Sequence, residues 1–397
     1  MKKIAVVNDL SGMGKCSLTA AIPVISVMGV QACPLPTAIL SAQTGFPSYF
    51  YEDYTDRMER ITQEWKKMDF RPDGIYTGFL AGAEQADRVL DFIELFGGDG
   101  TAKILVDPVM GDNGGEYPIY TEALCEKMRI LASKAAIITP NLTEALLLLY
   151  GREEACARWA ELENSQDIRG IIQKIGSQLA ERFQVEIVIT GIDLPAGDRG
   201  DCQQENEQQN LAAGQIWHCQ EEYARQNEIS GQTWNCQQEN EQQNGARWTR
   251  NCSEGNKGQN EGLGQTWNCL EKNEKQDVST EQTVNCQQKN SQQKECGGEH
   301  DLPQQASCTE PTIQIANLII TPSKTTWITA PKQGGSYSGT GDLFASVLAA
   351  GMVKGTDTAA SVQKAVCFLG KALQDTVREG TDRNEGVCFE SHLGELL

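Results

Sequence analysis

The segment Gly339-Thr340-Gly341-Asp342 combines residue types that suit phosphoryl transfer. Its two glycines permit a tight turn, and the apolar, periodic run that follows predicts a helix beginning there. Amides at the start of a helix carry partial positive charge and form an anion site. We expect Asp342 to accept the proton of a substrate hydroxyl beside that site. The alternative is an ordinary helix start with an acidic residue in its first turn.

A second acidic segment, Asp107-Pro-Val-Met-Gly-Asp112, follows an apolar run that predicts a strand. Open α/β sheets bind ligands beyond the carboxyl ends of their strands. Two carboxylates there suit Mg²⁺, which binds through one or two carboxylates together with phosphate oxygens and waters. The alternative is a Pro-Gly turn with solvated acids.

Two further predicted strands end in polar residues. Thr139-Pro140-Asn141 precedes a predicted helix that contains Glu144, and Thr190-Gly191 ends a later strand. Polar groups at these ends could face nucleotide phosphates or metal-bound water. The alternatives are a helix cap at Asn141 and a plain turn after Thr190.

The segment Gly12-Met-Gly-Lys15-Cys-Ser17 resembles part of a phosphate-binding P-loop. The full pattern needs an earlier glycine and a hydroxyl residue directly after the lysine. Asp9 and Cys16 occupy those two positions, so we reject a P-loop.

The elements that must position these residues alternate along the chain. Amphipathic helices are predicted at 17–28, 84–96, 122–131, 143–150 and 169–182. They alternate with apolar strands at 4–8, 32–36, 74–77, 104–107, 136–139 and 186–190. A hairpin over 313–321 and 325–330 follows, then helices beginning near Gly341 and Thr358. This alternation is typical of a parallel sheet covered by helices on both faces.

Residues 198–311 differ in kind from the rest of the chain. Cysteines recur there mostly every 17 residues, in a sequence rich in Gln, Asn and Glu and poor in Leu, Ile and Val. Such units cannot offset the entropy of ordering, so we expect a disordered insert. The 283 residues outside it suit one discontinuous α/β domain, formed by 1–197 and 312–397.

The bulk composition excludes some partners. The formal net charge of −20 disfavours nucleic acid and anionic membranes. The apolar runs are too short to span a membrane, and no signal-peptide pattern is present. We therefore expect a cytoplasmic protein with reduced thiols, despite its 14 cysteines.

Taken together and in this order, the segments resemble the pyridoxal/pyridoxamine kinases of the ribokinase-like superfamily. Residues 9–17, 34–41, 75–80 and 378–381 are also similar to bacterial pyridoxamine kinases, and the resemblance covers 1–197 and 312–397 but none of the insert. It implies a ribokinase-like three-layer α/β sandwich with a mostly parallel central sheet. It also implies ATP-dependent phosphorylation of the 5′-hydroxymethyl group of pyridoxal, pyridoxamine or pyridoxine, in vitamin B6 salvage to pyridoxal 5′-phosphate.

Site roles follow from the same resemblance, position by position. It implies a catalytic base at Asp342 and an anion hole at Gly339, Thr340 and Gly341. The remaining positions are ATP-binding Asp107, Asn141, Glu144, Thr190 and Gly191; substrate-binding Asn8, Thr44, Gly45 and Asp342; Mg²⁺-binding Asp112; and Thr139 and Thr190 near a monovalent cation, K⁺ or Na⁺. The implied partners are a B6 vitamer, ATP and a second copy of the chain in a homodimer.

Gln43 departs from the resemblance, because many relatives have His there. Asn8 likewise stands where some relatives have Ser. Both positions belong to the expected substrate pocket, so they affect ring preference rather than phosphoryl transfer. Two other functions stay open: hydroxymethylpyrimidine (phosphate) kinase of thiamine synthesis, on the same fold, and a non-catalytic kinase-like scaffold that displays the repeat arm.

Overall fold

The computed structural model describes residues 1–195 and 313–397. The predicted disorder of 198–311 concerns residues outside these ranges. The strands are β1 Lys3–Ser11, β2 Gln31–Leu40, β3 Tyr51–Asp53, β4 Gly74–Thr77, β5 Lys103–Val106, β6 Gly111–Asp112, β7 Gly115–Glu116, β8 Ile137–Ile138, β9 Glu186–Pro195, β10 Ile313–Ile320 and β11 Thr325–Pro331. The helices are α1 Ser17–Val27, α2 Thr55–Lys67, α3 Ala83–Gly97, α4 Glu122–Lys134, α5 Leu142–Tyr150, α6 Arg152–Glu163, α7 Ile168–Phe183, α8 Thr340–Lys354, α9 Thr358–Glu379 and a 3₁₀ helix at Glu390–Leu396.

Nine strands form one sheet in the order β11-β10-β9-β8-β5-β4-β1-β2-β3. The six central strands, from β9 to β2, are parallel, whereas β3, β10 and β11 join antiparallel at the two edges. β6 and β7 form a separate two-stranded hairpin. The predicted mostly parallel sheet is therefore confirmed.

Alternate residues of the central strands point into two different cores. In β1, Ala5 and Val7 pack into the core beneath α2 to α7, while Ile4 and Val6 pack into the core beneath α1, α8 and α9. This period of two buries both faces of the sheet, as a parallel sheet requires. The result is the expected three-layer sandwich.

All of the predicted strands and helices are present, with bounds that differ by a few residues. The structure adds α2, α6, the short β3 and the β6–β7 hairpin. The strand predicted at 4–8 extends to Ser11, which places Asp9 inside β1. In the described part of the chain, no helix is long and apolar enough to cross a membrane.

Candidate active site

Asp342 lies in the first turn of α8, directly after the glycine turn. Gly339 adopts a left-handed backbone with φ +78°, and a Cβ at this position would collide with the Lys15 carbonyl oxygen. Only glycine fits both conditions. The start of α8 is thereby packed against the segment between β1 and α1.

Asn8, at the carboxyl half of β1, contacts Asp342 directly. Its Nδ2 donates a 3.0 Å hydrogen bond to Asp342 Oδ1, while its Oδ1 accepts from the Phe79 and Asp9 backbone amides at 2.8 and 3.0 Å. A Cβ on Gly78 would strike the Asn8 carboxamide, so that glycine makes room for it. The Asn8 side chain is fully buried and fixed at both ends.

Desolvation of the partly buried Asp342 carboxyl and the charge of Asp9 together raise its pKa to about 6. The Ser17 backbone N–H and Asn8 act in the opposite direction, because hydrogen bonds to a carboxylate favour its charged form. A carboxylate with a pKa near 6 is largely ionised at neutral pH yet basic enough to accept a proton. This is the ionisation that a general base needs.

Asp107 follows β5 and faces the same carboxylate. Burial and the Asp342 charge together raise its pKa to about 7, although a 3.0 Å hydrogen bond from Thr139 Oγ1 acts to lower it. β5 and β8 are parallel neighbours, so Asp107 and Thr139 meet at their common carboxyl end. The structure thus brings Asp107, Thr139 and Asp342 to one edge of the sheet.

Asn141 and Glu144 form a capping box at the start of α5. Asn141 Oδ1 accepts from the Glu144 amide at 3.0 Å, and Glu144 accepts from the Asn141 and Met110 amides at 2.9 and 3.1 Å. Asn141 Nδ2 also donates to the Gly111 carbonyl at 2.8 Å. The helix-cap alternative is therefore realised, and contact of these side chains with nucleotide stays a prediction.

Asp112 lies on the β6–β7 hairpin, which the Asn141–Gly111 hydrogen bond ties to α5. Both of its carboxylate oxygens accept from Asn113, each at 2.9 Å. Partial burial raises its pKa, the Asn113 amide and the Arg383 charge lower it, and the Asp193 charge raises it. The hairpin therefore presents a half-buried carboxylate that the positive charge of Arg383 partly stabilises.

Thr190 and Gly191 lie within β9 rather than at its end. The Thr190 amide donates to the Pro140 carbonyl at 3.0 Å, which extends the pairing of β9 toward Asn141. Gly191 is exposed, with φ +68°. Thr190 thus lies beside Asn141, whereas the predicted strand end at Thr190-Gly191 is wrong because β9 continues to Pro195.

Thr44 and Gly45 lie in an exposed turn after β2, and Gln43 ties this turn to the loop after α9. Gln43 Oε1 accepts from the Gly45 amide at 2.6 Å, while its Nε2 donates to the Asn384 carbonyl and side-chain oxygens at 3.2 Å each. The Ser338 amide in turn donates to the Arg383 carbonyl at 2.9 Å. The loop after α9 therefore joins the predicted substrate turn to the glycine turn.

The carboxylates fit Mg²⁺ only together with phosphate oxygens. In residues 1–195 and 313–397 no group of three or more His, Cys, Asp or Glu side chains is arranged to hold a metal ion. Mg²⁺ commonly takes one or two carboxylates and completes its shell with phosphate and water. Asp112 and the buried Asp107 fit that role, because burial raises the pKa of each carboxyl and a bound cation would stabilise its ionised form.

Residues to which the sequence assigned no site role also lie near these groups. Asp9 and Ser17 are buried beside Asp342, and Asn384 supports the Gln43 turn. A charged residue shortly after the apolar run 4–7 is the sequence feature that could have identified Asp9 as a site residue. In the rejected P-loop segment, Lys15 Nζ pairs with Glu390 at 3.1 Å.

A cavity of about 260 Å³ lies elsewhere, behind the β6–β7 hairpin. It is lined by residues of the hairpin, α5 and α6, among them Thr143, Arg152 and Trp159. None of its lining residues belongs to α8 or β1, so we place the chemistry at Asp342 instead.

A three-layer α/β sandwich with an acid at a glycine-led helix start defines the class: a small-molecule phosphotransferase. The chain belongs to the phosphomethylpyrimidine kinase family, whose model matches residues 14–232 and 273–386. The predicted ribokinase-like membership is thereby confirmed.

Two curated relatives carry the same name, hydroxymethylpyrimidine/phosphomethylpyrimidine kinase. The protein from Rhizobium meliloti is 25% identical over 191 residues, which cover 46% of this chain and 70% of that protein. The protein from Bacillus subtilis is 34% identical over 77 residues, which cover 19% of this chain and 27% of that protein.

Solved structures share the fold. One is a protein of Bacteroides thetaiotaomicron, provisionally named phosphomethylpyrimidine kinase and crystallised with pyridoxal. It has a TM-score of 0.64 and 26% sequence identity, and the match covers 100% of this chain and 95% of the Bacteroides chain. Pyridoxal kinase from Lactobacillus plantarum has a TM-score of 0.62 and 18% identity, covering 100% and 97%. At that identity the second likeness bears on the fold alone.

Proposed function

We propose that this chain transfers a phosphoryl group from ATP to the 5′-hydroxymethyl group of a vitamin B6 compound: pyridoxal, pyridoxamine or pyridoxine. The observation that carries the proposal is the Asp342 carboxylate, with its raised pKa of about 6, at the glycine-led start of α8. A base and an anion site thus share one helix terminus, which is the arrangement that phosphorylation of a hydroxyl needs.

In this mechanism Asp342 accepts the hydroxyl proton as the oxygen attacks phosphorus. The amides of Gly339, Thr340 and Gly341 receive the developing negative charge of the transferring group. Asn8 keeps the Asp342 carboxylate oriented through its 3.0 Å hydrogen bond.

Asp112 and Asp107 would hold Mg²⁺ at the carboxyl ends of the strands, and Thr139 and Thr190 would lie near a monovalent cation. Mg²⁺ neutralises phosphate charge and orients the leaving group when bound. The backbone around the predicted nucleotide site would be held in place by Asn141, Glu144 and Gly191. ADP in a structure of pyridoxal kinase from Leishmania donovani accords with a nucleotide site on this fold.

The choice of a B6 ring rests on two supports. The Bacteroides protein, at 26% identity over nearly its whole length, was crystallised with pyridoxal. In this chain the predicted substrate turn, Thr44 and Gly45, is held by the Gln43 carboxamide. Gln43 is neutral, in place of a histidine that titrates near neutral pH, and its carboxamide acts by holding the turn through Gly45 and Asn384.

The second candidate is a hydroxymethylpyrimidine (phosphate) kinase. The family model and both curated relatives carry that name. Such an enzyme also transfers a phosphoryl group to a hydroxymethyl group, so only the ring of the substrate distinguishes the two candidate functions.

A panel of four substrates tests the proposal: pyridoxal, pyridoxamine, pyridoxine and hydroxymethylpyrimidine, each with ATP and Mg²⁺. We expect ATP consumption with at least one B6 compound, and loss of it in Asp342→Asn. Turnover of hydroxymethylpyrimidine alone would establish the second candidate. No turnover with any compound would favour a non-catalytic scaffold.

A further inference from the structure

We propose that Thr143 and Trp159 are positioning residues that hold the β6–β7 hairpin against α5 and α6 and thereby place the Asp112 carboxylate for a metal ion. The proposal deepens the proposed function and rests on it, because Asp112 acts as a ligand only if the chain binds Mg²⁺ with nucleotide. Thr143 and Trp159 themselves are not expected to touch the metal or the substrate.

The turn of the hairpin orients the Asp112 carboxylate. Asn113 and Gly114, with φ +50° and +77°, form the two-residue connection between β6 and β7. The backbone amide and the side-chain amide of Asn113 each donate to one carboxylate oxygen of Asp112 at 2.9 Å. The position of the carboxylate therefore follows the position of this turn.

Thr143, in the first turn of α5, binds the second residue of the turn. Its Oγ1 accepts from the Gly114 amide at 2.8 Å, and Thr143 is only 5% exposed. An amide that loses its acceptor in such surroundings is costly, so this hydrogen bond favours one position of the turn. Asn141, two residues earlier, donates to the Gly111 carbonyl at 2.8 Å. The start of α5 thus binds the hairpin on both sides of Asp112.

Trp159 of α6 contacts the same turn residue from a second element. A Cβ at Gly114 would lie 2.6 Å from the Trp159 ring, so the ring lies directly against the Gly114 backbone. Trp159 Nε1 donates to Glu163 one turn further along α6 at 3.0 Å, which orients the ring. Gly114 is therefore held by a hydrogen bond to α5 and by an aromatic ring of α6.

The cavity behind the hairpin shows that these contacts do not belong to a filled core. Its volume is about 260 Å³, and Thr143 and Trp159 are among the residues that line it. The ion pair of Arg152 with Glu116 at the end of β7 spans 2.8 Å, but the Arg152 side chain is 52% exposed, and such pairs contribute little. Few contacts therefore determine where the hairpin lies, and Thr143 and Trp159 supply two of them.

Two pairs of substitutions separate these contacts from general effects on packing. Thr143→Val has nearly the shape of threonine but cannot accept from the Gly114 amide, whereas Thr143→Ser keeps the acceptor. Trp159→Ala removes the ring, whereas Trp159→Phe keeps an aromatic ring beside Gly114. Thr376→Val is the matched control, because Thr376 of α9 is also buried and its Oγ1 also accepts a backbone amide, that of Cys388, at 2.9 Å.

Hydrogen exchange tests the contacts without any ligand. We expect the segment 111–117 to exchange about 10-fold faster in Thr143→Val and Trp159→Ala than in the unsubstituted protein. The Gly114 amide loses its acceptor in the first variant and its cover in the second. Thr143→Ser, Trp159→Phe and Thr376→Val should leave the exchange of this segment unchanged. Equal exchange in Thr143→Val and Thr143→Ser would overturn the proposal.

Calorimetric binding of a non-hydrolysable ATP analogue tests the effect on Asp112. The analogue is titrated once with Mg²⁺ and once with EDTA, and the ratio of the two Kd values measures how much the metal tightens binding. We expect this ratio to fall about 10-fold in Thr143→Val, as is usual when a group that orients a metal ligand is lost, and to be restored in Thr143→Ser. The Kd in EDTA should be the same in both variants.

A combination with Asp112→Ala distinguishes positioning from a merely structural role. Because Thr143 acts through Asp112, Thr143→Val should lower the ratio of Kd values in the unsubstituted background and have no further effect once Asp112 is alanine. An equal loss in both backgrounds, or no loss in either, would contradict the proposal. If the unsubstituted protein bound the analogue equally with Mg²⁺ and with EDTA, the metal role of the hairpin would be wrong, and the proposal with it. Failure of the proposed function would appear separately, as absent turnover with every compound of the substrate panel.

Discussion

Asn8 and Asp342 lie 334 positions apart in the sequence, and Asn8 Nδ2 donates to Asp342 Oδ1 at 3.0 Å. The hydrogen bond joins β1 to α8 across the core that α1 and α8 share. The base is therefore oriented only when the two ends of the described chain have packed together. The orientation of the predicted base thus depends on a contact between residues that are far apart in the sequence.

Asp342→Asn tests the base. We expect kcat to fall about 10²- to 10⁴-fold, the usual effect of removing a general base, while nucleotide binding and the fold are retained. Steady-state kinetics and circular dichroism would measure both. Near-normal turnover in this variant would contradict the assignment.

The pH dependence follows from the raised pKa of Asp342, about 6. The base must be ionised, so kcat/KM should fall as the pH drops below about 6. Stability should respond in the opposite sense, because a carboxyl with a raised folded-state pKa binds its proton more tightly in the folded protein. Folding stability due to Asp342 is then greatest below the unfolded pKa and is lost as the pH rises through about 6.

Thermal unfolding of the unsubstituted protein and Asp342→Asn at pH 5 to 8 would measure this effect. The variant should gain in relative stability as the pH rises. A difference in Tm that stays constant over that range would contradict the raised pKa.

The sequence predicted the layers of the fold because apolar periods of two and 3.6 residues recur in clear alternation. It missed α2 because that helix is polar overall and Met58 is its one buried residue, although its apolar residues do recur with a helical period. It missed the β6–β7 hairpin because each strand has two residues. Asp342 was predicted from its glycine turn, whereas Ser17 was not, because a positive φ in a residue other than glycine leaves no mark in the sequence.

Asp112→Ala tests the metal site. Asp112 is half-buried on the β6–β7 hairpin, and its loss would remove one predicted Mg²⁺ ligand. We expect the Mg²⁺ concentration for half-maximal rate to rise several-fold, measured by titration at saturating substrate. Asp87→Ala is the control, since Asp87 pairs with Lys127 on the surface at 2.6 Å. An unchanged Mg²⁺ requirement in Asp112→Ala would exclude Asp112 as a ligand.

Removal of 198–311 tests the discontinuous domain. Pro195 of β9 pairs directly with Ile313 of β10, so a short Gly-Ser turn can rejoin the two antiparallel strands as a hairpin. We expect a folded kinase with a Tm within a few degrees of the full chain, measured by calorimetry. Loss of folding on deletion would show that the repeats contribute to the core.

A competition between two alcohols tests the central claim most directly. Pyridoxal and hydroxymethylpyrimidine are mixed at equal concentration with limiting ATP and Mg²⁺, and the phosphorylated products are quantified by mass spectrometry. The product ratio equals the ratio of the two kcat/KM values. We predict that pyridoxal 5′-phosphate is the major product, whereas an excess of hydroxymethylpyrimidine phosphate would contradict the vitamin B6 assignment.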